Sequence, residues 1–82
     1  MSEDQLMFLN KQDKHDFEGG GFFAEVNTEW LEARSGVYFE TDNVAVVPVP
    51  ETSVVRGKAS HVRYTRNSVT DDPWRIESYF LV

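Results

Sequence analysis

A mainly β fold is what this sequence predicts: a small antiparallel meander or partly open barrel of five to six short strands, or an α+β variant with one short helix. Three observations carry that expectation. β-branched and aromatic residues gather in short runs, FFAEV, GVYFE and VAVVPVP. Turn-forming residues separate the runs at intervals of roughly 8–12 residues, the spacing of hairpin-connected strands. The C-terminal stretch alternates, with Trp74, Ile76, Ser78, Phe80 and Val82 on one parity and Arg75, Glu77, Tyr79 and Leu81 on the other.

Taken in order, residues 1–5 are polar and expected to fray. Leu6 to Leu9 is a short apolar run read as a strand. Asn10 to Glu18 is charged and aperiodic apart from Phe17, and it runs into Gly19-Gly20-Gly21. Three glycines in a row carry a high backbone entropy cost, so residues 10–21 read as a mobile Gly-rich loop. Phe22 to Val26 resumes as a strand.

Residues 28–35 admit two readings. Asn27 or Thr28 suits a helix N-cap, with Glu29 in the first turn and Gly36 after the last. Against a helix, Leu31, Ala33, Ser35, Val37 and Phe39 share one parity, which predicts a strand running on into GVYFE. Thr41-Asp42-Asn43 is a tight turn. In the next strand, Val44 to Pro50, the prolines at 48 and 50 remove two N–H groups from one side, so this strand is expected at a sheet edge. Val54 to Arg66 reads as a strand in the middle of the series, with Gly57 marking a bulge. Residues 67–73 form a polar turn, and Trp74 to Val82 a half-buried strand with Trp74, Ile76 and Phe80 turned inward.

Eighty-two residues make one domain, 1–82, with room for a single core and a shallow surface site. Cysteine is absent, which removes disulfides, Cys-ligated zinc, iron–sulfur clusters and thiol nucleophiles together. That absence, with an acidic Met-Ser-Glu-Asp start and no long apolar run, points to a soluble cytoplasmic protein that does not enter a membrane.

The net charge of −6 is unevenly spread: residues 1–51 carry −8 and residues 52–82 carry +2. Each end offers a candidate surface. The acidic, aromatic one comprises Phe22, Phe23, Glu29, Trp30, Glu32, Tyr38, Glu40 and Asp42. It suits binding, and even inhibiting, a partner protein with a basic surface. The basic one comprises Arg56, Lys58, His61, Arg63, Tyr64 and Arg66, cations beside an aromatic ring as in single-strand nucleic-acid platforms. Its competing explanation is cross-strand pairing with the chain's own acids, Glu40, Glu51 or Glu77.

Catalytic signals are thin. His15 between Lys14 and Asp16 lacks a second histidine at ligand spacing, and His61 lacks a serine in a nucleophile-elbow context. Glu18-Gly19-Gly20-Gly21 has no Gly-Lys-Ser/Thr ending, so it is not a phosphate loop. The expectation is a non-catalytic protein-interaction or regulatory domain without cofactor or metal, the nucleic-acid module being the alternative. Its oligomeric state is open.

Overall fold

The computed structural model describes residues 5–8, 11–70 and 73–81. The chain order is β1 (Gln5–Phe8), α1 (Lys11–Gly19), β2 (Glu25–Val26), α2 (Thr28–Glu32), β3 (Tyr38–Thr41), β4 (Val44–Pro48), β5 (His61–Thr65) and β6 (Trp74–Leu81). All strands join one antiparallel sheet in the order β1-β6-β5-β4-β3, and β2 also pairs with β6. The last four strands form the expected meander. The sheet stays open, ending at β3 on one side.

The eight-residue β6 is long enough to serve two partners on its outer side. β1 pairs with its C-terminal half, Leu6 opposite Phe80, and β2 pairs with its start, Val26 opposite Trp74. The chain between those strands forms α1. Tyr64 pairs with Ile76 and Val62 with Tyr79, which puts these four side chains on one sheet face. Both helices lie on that face: Phe17 of α1 packs at a tilt on Tyr79 at 4.9 Å between ring centroids, and Trp30 of α2 on Tyr64 at 5.6 Å. Trp74, Tyr64, Phe17 and Leu31 are fully buried there.

Several expectations are corrected. The loop expected over 10–21 is instead helical at residues 11–19. The helix escapes a periodicity test because only Phe17 on it is buried. Gln12 Nε2 donates to Asp16 Oδ1 one turn on, at 3.1 Å. The glycines end it. Phe22 N–H reaches back to Phe17 O at 2.7 Å and Gly21 N–H to Glu18 O at 3.0 Å, with Gly21 at φ 94°. That is a Schellman stop, whose left-handed residue is normally glycine.

Residues 28–32 take the helical alternative. Asn27 caps α2, its Oδ1 accepting from Trp30 N–H at 2.8 Å. The Val44–Pro48 strand is internal and not an edge, since it pairs with both β3 and β5. Val49 N–H bonds Ser60 O on the β5 side, so the prolines turn their missing donors the other way. On that side β3 begins only at Tyr38, opposite Val46, so neither proline breaks a ladder bond.

Only His61–Thr65 of the Val54–Arg66 stretch is strand, and residues 51–58 are turns. Gly57 lies in those turns and marks no bulge. The bulge falls in β6 instead: Arg63 pairs with Ser78 and Tyr64 with Ile76, which leaves Glu77 as the extra residue. It flips the alternation, so Tyr79 turns inward and Phe80 is only half-buried. The frayed start expected for residues 1–5 lies outside the described residues, save for Gln5 in β1.

Candidate functional site

The acidic, aromatic surface assembles in part. β3 brings Tyr38, Phe39, Glu40 and Thr41 to the sheet edge, and all four are exposed. Tyr38 is 53% exposed and Phe39 47% exposed, high values for aromatic rings. Phe39 had no place in the expected set, although its position in GVYFE beside Tyr38 was a signal. Its ring meets Trp74 edge-on at 5.7 Å, which helps to fix β3 to the core. Asp42 follows in the hairpin, and Glu29 and Glu32 stand exposed on α2. Neither Glu29, Glu32 nor Asp42 makes a side-chain ion pair with a described residue.

Two expected members drop out of that surface. Phe22 is core, 4% exposed, with its ring against Phe17 and Trp30. Trp30 is half-buried and lies beneath Arg34, whose Cζ sits 4.2 Å above the ring. Phe23 remains, 48% exposed.

The basic set is not one strip. Arg56 and Lys58 belong to the turns before β5, and each cation is held from within. Arg56 Nη1 donates to Val49 O at 3.0 Å. Lys58 Nζ lies 3.2 Å from Asp13 and 3.3 Å from Asp16, tying the turns to α1. Those hydrogen bonds, Asp13's foremost, raise the Lys58 pKa, and the bond from Lys58 lowers that of Asp16. Arg63 pairs with Glu40 across the sheet at 3.1 Å and also lies over the Phe80 ring. Arg66 donates to Asp42 O at 2.8 Å and stacks on Trp74 at 4.3 Å.

Tyr64 is no stacking platform. It is fully buried, and its hydroxyl donates to Phe23 O at 2.7 Å. Burial raises its pKa strongly. The His61 ring lies flat against Phe80, 5.1 Å between centroids and 9° from parallel. Its Nδ1 is 3.0 Å from Ser60 Oγ, a hydroxyl that also reaches Phe80 O. Burial, then Arg56, lowers the His61 pKa.

Among the described residues, no group of three or more His, Asp or Glu side chains is placed to hold a metal ion. No described helix is long and apolar enough to cross a membrane. Compared with protein-family models, curated proteins and solved structures, the chain matches none.

Proposed function

We propose that this chain is a non-catalytic binding domain that presents β3 and the exposed carboxylates of α2 to a basic surface on another protein. The observation that carries the reading is the state of β3. It ends the sheet, each of its residues is exposed, and Tyr38 and Phe39 hold large rings half in water. Exposed aromatic residues ringed by charge are the usual make-up of an interface centre and rim. Asp42 beside β3 and Glu29 and Glu32 on α2 add exposed carboxylates that make no ion pair with a described residue, and their charge favours a basic partner. Inhibition of that partner is one outcome such binding would have.

The nucleic-acid reading has less behind it. Arg56, Lys58, Arg63 and Arg66 all spend donors on this chain's own oxygens, and Tyr64 exposes no ring. Affinity enrichment from an extract of the source cells tests the proposal. The wild type is compared with a Tyr38→Ser/Glu32→Arg double variant and with Glu77→Arg, an exposed control on β6. The proposal expects a basic protein to be retained by the wild type and the control and lost by the double variant. Equal capture by all three folded proteins would sink it.

A further inference from the structure

We infer that a second site lies where β3 stops short of the prolines, and that it binds a small carboxylate carrying an apolar group. A cleft of about 500 Å³ opens there, within the usual size for small-ligand sites. One wall is Pro48, Val49 and Pro50. The facing wall is Gly20 and Gly21, after α1, and Arg34 and Ser35, after α2.

The chemistry of the lining selects the ligand. The prolines present no N–H to the cleft side, so a peptide strand has no ladder to join there. Recognition falls to side chains. Phe22 and Val49 supply an apolar floor and the proline rings an apolar wall. Gly21 keeps the opposite wall low, since a Cβ there would meet nothing within 4 Å. At Gly21, with φ 94°, a side chain would also be strained.

Charge then decides the polar end. No Asp or Glu lines the cleft, on a chain with fourteen of them. Arg34 does line it. Arg56, Arg63, Arg66 and Arg75 all donate to an oxygen of this chain, whereas Arg34 rests only on the Trp30 ring among the described residues. Its planar fork of N–H donors makes no hydrogen bond to a described side chain, and it matches the two oxygens of a carboxylate. Ser35, beside it, adds a hydroxyl. None of these residues belongs to the β3 surface, so this site stands or falls independently of the protein-binding proposal.

The test is a titration with benzoate and hexanoate, followed by amide chemical shifts and by Trp30 fluorescence. Benzyl alcohol and inorganic phosphate probe the apolar and anionic halves alone. Both carboxylates are expected to shift Gly20, Gly21, Ser35 and Val49, and to bind more tightly than either half-probe. Arg34→Gln, an exposed change, should weaken benzoate about tenfold or more. Ser35→Trp, which fills the cleft from its rim, should abolish the shifts. The site is overturned by shifts elsewhere, by no saturation in the millimolar range, by phosphate binding as tightly as benzoate, or by unchanged affinity in either folded variant.

Discussion

Arg63 and Glu40 face each other across the sheet, Nη2 to Oε2 at 3.1 Å, and so join the most basic stretch of the chain to its acidic edge strand. The pair reduces both surfaces that the charge distribution suggests. It takes Arg63 from a phosphate-binding role and leaves Asp42 beside β3, and Glu29 and Glu32 on α2, as exposed acids without an ion pair among the described residues. Side-chain exposures of 19% for Arg63 and 36% for Glu40 leave the pair only partly screened. A double-mutant cycle with Arg63→Ala and Glu40→Ala, read by urea unfolding, should give a coupling of about 1 kcal/mol. Arg63→Ala alone should cost more than Glu40→Ala, because Arg63 also covers the Phe80 ring.

The reassigned segment 11–21 makes a contrasting pair of predictions. Gly21 holds a left-handed φ at the helix stop, so Gly21→Ala should destabilise by about 1–2 kcal/mol. Gly19 is the last helical residue, and an added Cβ there meets nothing within 4 Å. Gly19→Ala should be neutral or stabilising by up to about 1 kcal/mol. Thermal unfolding of the two variants checks both signs. A mobile loop would respond little to either change.

These glycines show where the sequence was readable and where it was not. The meander was legible because β-branched runs and turns recur at strand spacing, although two strands are shorter than expected, Glu25–Val26 within 22–26 and His61–Thr65 within 54–66. α1 was hidden because it buries a single side chain, and its attachment is long-range. Tyr79 Oη donates to Asp13 Oδ2 at 3.0 Å, and Lys58 reaches both Asp13 and Asp16. No local pattern records such partners. The inward turn of Tyr79 was hidden for a similar reason, since a bulge at Glu77 leaves the sequence alternation intact while reversing the faces. Of the candidate surface, Tyr38, Glu29, Glu32 and Asp42 were legible as exposed polar or aromatic positions. The burial of Phe22 and Tyr64 depends on how the helices lie on the sheet, which composition does not encode.

Tyr64 tests that packing directly. Its hydroxyl is buried and satisfied by Phe23 O at 2.7 Å, and this bond ties the segment leading into β2 to the sheet face. Tyr64→Phe removes the donor and strands the carbonyl, so it should cost about 1–2 kcal/mol by urea unfolding. A loss near zero would mean that water reaches the Phe23 carbonyl.

His61 gives the fold a pH dependence. Burial holds its pKa below the ordinary 6.5, and Arg56 pushes it further down. The unfolded chain therefore takes up a proton at pH values where the folded one does not. Stability from this group is complete above about 6.5 and declines as pH falls through the window beneath it. Unfolding free energies at pH 7.5 and 5.5 should show the decline in the wild type and a flatter profile in His61→Gln. Asp16, whose pKa is lowered by Lys58, adds a separate loss only in the acidic carboxylate range.

The claim that β3 and α2 form the binding surface is tested most directly by carboxyl footprinting with the enriched partner. Side chains are labelled with a carbodiimide and an amine, free and in complex, and the change at each acid is read by mass spectrometry. Protection is predicted at Glu29, Glu32 and Asp42, with Glu77 unchanged. Unchanged labelling at those three acids in a saturated complex would contradict the account.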